Sequence, residues 1–211
     1  MEIIQLNNIT KKYKNKVIFS DVNLAIPSGS FTVMMGESGS GKTTLLNIIG
    51  GLEPQTSGEV IIEQQNIKNF SARQRADFYR HKVGLIFQGS YLQPQFTLFE
   101  NISLPGIFAK IPKVNRDQRI KELARELGIL EVLNSLPSQV SGGQAERACI
   151  ARALLLNPKI ILADEPTSNL DEKNNIRLRS GITVIVSSHS QLVARFATQL
   201  VTVKNGTIYD Q

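Results

Sequence analysis

The sequence predicts an α/β fold with a mostly parallel sheet, and three stretches predict it. The apolar run Phe31-Thr32-Val33-Met34-Met35 enters a glycine-rich turn that leads into the apolar-periodic Leu45-Leu46-Asn47-Ile48-Ile49. The aliphatic run Lys159–Ala163 ends on two acids, Asp164 and Glu165. A last strand, Ile182–Val186, ends at Ser187-Ser188-His189. Polar residues gathered where buried strands finish are the mark of an open parallel sheet, whose ligands sit outside the carboxyl ends of its strands.

The turn itself, Gly36-Glu37-Ser38-Gly39-Ser40-Gly41-Lys42-Thr43-Thr44, fits G-x-x-x-x-G-K-[ST]. Its glycines let backbone N–H groups converge on phosphate oxygens, and the following helix aims its positive end at them. Lys42 supplies a point charge for the β and γ phosphates, and the Thr43 hydroxyl can ligate Mg²⁺. A flexible Gly/Ser linker would need neither the Lys-Thr-Thr ending nor the flanking strand and helix patterns.

The elements follow in order. Ile3–Leu6 and Val22–Ile26 read as strands approaching the loop, with the Pro27-Ser28-Gly29 turn after them. Tyr13 lies in the polar segment Thr10–Lys16, where a ring flanked by cations could stack on a base. Pro54–Gly58 is a turn into the short strand Glu59–Ile62. Ser71–His81 reads as a helix capped by Ser71, and Val83–Phe87 as a buried strand ending at Gln88.

From Gly89 to Pro112 the composition is rich in Pro, aromatics and aliphatics without a clean period, which suggests a surface that something else covers. Ile120, Leu123, Ala124 and Leu127 share one face of a helix ending at Gly128. Ser141-Gly142-Gly143-Gln144 opens another helix, running to about Leu156 before Asn157-Pro158, and its Ser/Gly N-terminus is a second potential anion site. Acids at the end of the Lys159–Ala163 strand are costly to place unless a metal or substrate uses them, and Pro166 follows at once where a capping pair would need a helix. His189 closes the same sheet edge as Gln88 and Glu165.

Composition bounds the class. With 211 residues, 41% hydrophobic and 20% charged, the chain is expected to be one compact module. No apolar stretch approaches the ~20 residues of a membrane span, and Met1–Leu6 lacks the features of a secretory signal, so a cytoplasmic protein is expected. The single cysteine, Cys149, excludes an internal disulfide and a cysteine-built metal site, and its apolar neighbours suggest a packed thiol. A net charge of +6 would suit nucleic acid or an anionic membrane, but Lys and Arg are scattered and read as a solvated surface.

Taken together, these stretches resemble the ATP-binding subunit of an ABC transporter, over nearly the whole chain and in the family's order. Residues 36 to 44 match Walker A, Gln88 the Q-loop, Ser141 to Gln144 the signature, Ile160 to Glu165 Walker B with its catalytic glutamate, Ser168-Asn169-Leu170-Asp171 the D-loop, and His189 the switch histidine. Tyr13 falls where the family places its adenine-stacking aromatic. The segments 86–105 and 163–171 look like the branch serving lipoprotein release, macrolide efflux and antimicrobial-peptide export. The resemblance implies a P-loop NTPase (RecA-like) core with an antiparallel β subdomain and an α-helical signature subdomain. Residues 1–88 and 157–211 would form the core with its β subdomain, and 89–156 the helical part.

It also implies chemistry. ATP and Mg²⁺ are the expected ligands: Tyr13, residues 36–44 and Ser141–Gln144 on the nucleotide, with Thr43, Gln88 and Asp164 on the metal. Glu165 would act as base or water orienter, with His189 on the γ-phosphate and Gln88 beside them. In the family the signature completes the ATP site of the opposite subunit, so a head-to-tail homodimer or pseudo-dimer of ATP-binding subunits would sandwich two nucleotides and drive a separate membrane permease from the cytoplasmic face of the bacterial inner membrane. No nucleic acid is expected as a partner.

Some positions depart from the family. Val140 stands where Leu is commoner, and Ser190 follows His189 where an acid is common. Between Asp171 and His189 the segment Glu172–Ser180 is too short for the full crossover helix, which needs at least about ten residues. Asn174–Arg177 joins Leu178–Ser180 without turn chemistry, which points to missing residues rather than a deletion. Rival readings are a soluble ABC ATPase acting on nucleic acid or ribosomes, a phosphate-loop kinase, and an ATPase gating a membrane enzyme or sensor. The first usually carries coiled-coil insertions or two fused cassettes, neither of which is present.

Overall fold

Alternation along the central strands decides how the layers stack. In the computed structural model, which describes residues 1–14, 16–89, 91–166, 181–204 and 206–210, a six-stranded sheet runs β10-β9-β3-β8-β7-β6. Its strands are β3 (Phe31–Met35), β6 (Val83–Ile86), β7 (Ile160–Asp164), β8 (Thr183–Ser188), β9 (Gln199–Lys204) and β10 (Thr207–Asp210). All neighbours are parallel except the β9/β10 hairpin. Val33, Ile161, Ala163, Val184 and Val186 face one core, and Met34, Ile160, Leu162 and Ile185 face the other. Period-two alternation of residues that are apolar on both faces is what a sheet covered on both sides requires.

Helices α3 (Leu98–Phe108), α4 (Lys113–Glu126) and α5 (Gly142–Leu154) cover the first face. The second is covered by α1 (Lys42–Ile49) and a four-stranded antiparallel sheet, β2-β1-β4-β5, made of β1 (Glu2–Tyr13), β2 (Lys16–Pro27), β4 (Ser57–Ile62) and β5 (Gln65–Asn66). Helix α2 (Ala72–Lys82) adds Phe78 and Tyr79 to that side, and the short α6 (Gln191–Ala194) follows β8. The expected parallel core, antiparallel β part and helical part are all present.

Two features add to the sequence expectations and one corrects them. The polar run from Thr10 continues the first strand: β1 runs on to Tyr13, because Lys11 is buried against Glu53, 2.8 Å away, and does not end the strand. The aperiodic stretch after Gly89 contains α3, whose Thr97/Glu100 capping box starts a helix that Pro105 does not stop. Its Leu98 and Ile102 are fully buried, each contributing roughly 1.5–3 kcal/mol. The strand before His189 is not the last, since β9 and β10 follow and β9 pairs directly with β3. The Ser71-capped helix and the helix ending near Gly128 form as expected. The D-loop residues Ser168-Asn169-Leu170-Asp171 and the short segment Glu172–Ser180 lie outside the described residues.

Candidate nucleotide site

At the carboxyl end of β3 the chain turns tightly into α1. Gly39 and Gly41 take φ of 77° and 105°, conformations that side chains disfavour, and a Cβ on Gly36 would lie 2.3 Å from the Val203 carbonyl oxygen. The loop therefore rests on β9 at a distance only glycine permits. Gly41 stands at the N-cap of α1 with no side-chain cap, so the first N–H groups of the helix remain available to an anion. The hydroxyl of Ser40 is buried beside Gly36 and has no hydrogen-bond partner among the described residues.

Lys42 is 5% exposed, and its ammonium donates to the carbonyls of Gly36 at 2.8 Å and Glu37 at 2.9 Å. Among the described residues no carboxylate lies within ion-pair distance of it. An ammonium has three N–H groups, so one is left for a ligand. A buried cation facing only dipoles is costly until an anion arrives, which is the electrostatic demand that a polyphosphate meets.

Next to the loop, the carboxyl ends of β6, β7 and β8 bring the polar residues together. Thr43 Oγ1 donates to Asp164 Oδ1 at 3.1 Å. Gln88 Nε2 donates to Glu165 Oε2 at 3.3 Å, and His189 Nδ1 stands 3.7 Å from Glu165 Oε1. Glu165 has φ of 38°, a left-handed backbone that turns the chain sharply out of β7. Thr43, Gln88, Asp164, Glu165 and His189, far apart in sequence, thus form one continuous set of contacts.

Thr43, Asp164 and Gln88 offer a hydroxyl, a carboxylate and an amide carbonyl, all hard oxygen donors of the kind Mg²⁺ takes. Among the described residues no three His, Cys, Asp or Glu cluster as a cage.

Tyr13, at the end of β1, is half-exposed. Its hydroxyl donates to Glu53, and the Lys11 ammonium sits 4.6 Å from its ring centroid while also pairing with Glu53 at 2.8 Å. The Glu53 hydrogen bond, with burial, raises the Tyr13 pKa. Burial works to raise that of Glu53, but hydrogen bonds from Lys11 and Tyr13 outweigh it and hold the carboxyl below its usual range. One face of the ring is therefore engaged and fixed. Lys11 and Glu53 were not anticipated; the Lys11-x-Tyr13 spacing, which puts both on one face of a strand, was the available signal.

Ser141 caps α5, accepting from the Gln144 N–H at 3.3 Å while Gln144 Oε1 accepts from the Ser141 N–H at 2.9 Å. These bonds stay within the turn. Ser141 and Gly142 are exposed, and a Cβ on Gly142 would meet nothing within 4 Å. The structure does not bring this turn into the contact set around Lys42 and Glu165.

A glycine-rich loop between strand and helix, with acids ending another parallel strand of the same sheet, defines a phosphate-loop nucleoside triphosphatase domain. Comparison with known proteins narrows the class. The sequence pattern of the ABC transporter family matches residues 19–168. The bacitracin export ATP-binding protein BceA of Halalkalibacterium halodurans is 35% identical over 226 aligned positions, covering 100% of this chain and 88% of that protein. The uncharacterized ABC transporter ATP-binding protein MJ0796 of Methanocaldococcus jannaschii is 40% identical over 98% of this chain and 95% of its own length. The macrolide export ATP-binding/permease protein MacB of Syntrophobacter fumaroxidans is 35% identical over 99% of this chain, which spans 31% of MacB. A dimeric structure of MJ0796 in a post-hydrolysis state bound to ADP and Pi superposes with a TM-score of 0.89 at 37% identity, covering 99% of this chain and 97% of that one. The chain belongs to the ABC transporter family, as an ATP-binding and ATP-hydrolysing subunit.

Proposed function

We propose that this subunit closes with a second copy around two ATP molecules and drives a separate membrane permease that exports a peptide, lipoprotein or hydrophobic drug. The observation that carries the catalytic part is the convergence of Gln88 and His189 on Glu165, beside an Asp164 tied to Thr43 at the first turn of α1. The export assignment leans on BceA and MacB, whose names specify bacitracin and macrolide export.

In this reading Lys42 and the N–H groups of the loop and of α1 hold the β and γ phosphates. The exposed face of Tyr13 stacks on the base. Glu165 orients the attacking water and accepts its proton, and His189 contacts the γ-phosphate. Mg²⁺, held by Thr43, Gln88 and Asp164, would neutralise charge on the β and γ phosphates. In this reading a second set of donors closes over the γ-phosphate. In the proposed dimer those come from Ser141, Gly142 and Gly143 of the second copy, as the dimeric assembly of MJ0796 supports. Hydrolysis removes the group that both subunits grip, and so reopens them.

Closure has to reach a permease. A groove of about 700 Å³ lies next to the Gln88 turn, lined by Tyr79, Leu85, Phe87, Tyr91, Pro105 and Leu156, and a segment of the permease would seat there. No helix among the described residues is long and apolar enough to cross a membrane, and we place the subunit on the cytoplasmic face of the cell membrane, held by that contact. Lys42→Ala is the direct test of the nucleotide reading. Titration with a fluorescent ATP analogue is expected to show at least a tenfold loss of affinity, about 1.4 kcal/mol. Unchanged binding would contradict it.

A further inference from the structure

The contact set around the acids includes a residue that no motif requires. Ser187 lies in β8, in register with Asp164 of β7 on one side and Met34 of β3 on the other, and is completely buried. Its hydroxyl donates to Asp164 Oδ1, the same oxygen that receives Thr43 Oγ1. It also accepts from the Glu165 N–H at 3.1 Å, which the Ser187 carbonyl shares at 3.1 Å. One hydroxyl thus spends its single hydrogen on the first acid and takes the backbone hydrogen of the second.

We propose that Ser187 is a positioning residue for both acids: its hydroxyl sets the plane of the Asp164 carboxylate and holds the left-handed backbone from which Glu165 reaches Gln88 and His189. Packing alone does not ask for a hydroxyl at this point. The neighbouring β8 positions Val184, Ile185 and Val186 are buried aliphatics, and alanine would fit the same space without the oxygen. Without the hydroxyl, Oδ1 keeps only Thr43 as a side-chain donor among the described residues. Thr43 is the group that must also serve the metal, so the carboxylate would be free to rotate as Thr43 changes partners. The Glu165 N–H would keep only the carbonyl, loosening the turn out of β7. Ser188 acts on the next residues in a related way, its hydroxyl accepting from the Ser190 N–H at 3.0 Å and shaping the turn that carries His189.

This inference rests on the reading of Asp164 and Glu165 as the acids that serve Mg²⁺ and water. The test compares the full-length wild type with Ser187→Ala, which removes only the hydroxyl, Ser187→Val, which puts two methyl groups in its fully buried place, and Ser187→Thr, which keeps a hydroxyl and adds one methyl. Two quantities are read: the Mg²⁺ concentration that half-saturates binding of a fluorescent ATP analogue, and the steady-state kcat. Ser187→Val and Ser187→Ala are expected to raise the Mg²⁺ requirement and lower kcat by about 10–100-fold, the usual effect of removing a partner behind a metal ligand. Nucleotide binding in EDTA should not move, and Ser187→Thr should recover both quantities. Wild-type values in Ser187→Ala would overturn the proposal, as would a Ser187→Thr variant that folds yet is as impaired as Ser187→Ala. If Ser187→Val melts without cooperativity, the Ala and Thr pair decides alone. A wild type whose nucleotide binding ignores Mg²⁺ would overturn the reading of Asp164 as well, which separates the two failures.

Discussion

Gly36→Ala places one methyl group where the phosphate loop meets β9. The added carbon would lie 2.3 Å from the Val203 carbonyl oxygen and 2.8 Å from Ser40 Oγ. An ordinary C···O contact is about 3.3 Å, so the two backbones must separate by about 1 Å. Val203 cannot supply that movement easily: it is 1% exposed and paired in register with Ile208 of β10. The loop has to move instead. Overpacking of this kind costs about 1–3 kcal/mol of stability, and a displacement near 1 Å in a positioning element costs about 100-fold in rate. Chemical denaturation and steady-state ATPase assays would measure both. Gly29→Ala is the control, since Gly29 has φ of 75° but nothing within 4 Å of its Cβ. It should lose about 1–2 kcal/mol through backbone strain alone and keep its ATPase rate. If Gly36→Ala hydrolyses ATP at the wild-type rate, the loop does not depend on its seat against β9 and the argument fails.

Gly142→Asp separates the monomer from the proposed dimer. Nothing lies within 4 Å of the new Cβ, and a carboxylate in the first turn of α5 suits the helix dipole, so thermal stability should hold or rise slightly. In the sandwich the same carboxylate would face the partner's γ-phosphate, so ATP hydrolysis should be lost; an active variant would refute that placement. Burial pushes the Cys149 thiol up to about 11, so at pH 8 only about one in a thousand would be thiolate. Ellman's reagent should find no thiol in the folded protein and one after denaturation, and rapid labelling of the native state would show the α5 core to be open.

Legibility followed chemistry more closely than it followed packing. The loop from Gly36 to Thr44, the Asp164-Glu165 pair and His189 are readable because phosphate and metal chemistry demand those residue types at short, fixed spacings. Helix α3 was hidden because it is apolar on nearly every side and carries Pro105, so no 3.6-residue period stands out; its Thr97/Glu100 capping box was the signal present. The end of β1 was hidden by Lys11, whose charge reads as surface until Glu53, distant in sequence, neutralises it. Ser187 could not be found at all from sequence. Its importance comes from cross-strand register with Asp164, which only the sheet order reveals.

The central claim is that each ATP site is completed by a second copy of this chain. Glu165→Gln keeps the side chain's shape and an amide oxygen that can still accept from Gln88, but removes the proposed base, so ATP should bind and persist. Size-exclusion chromatography with light scattering, run with ATP and Mg²⁺, is predicted to show Glu165→Gln as a dimer that reverts to monomer when nucleotide is removed. A variant that binds ATP with wild-type affinity yet elutes only as a monomer would contradict the account.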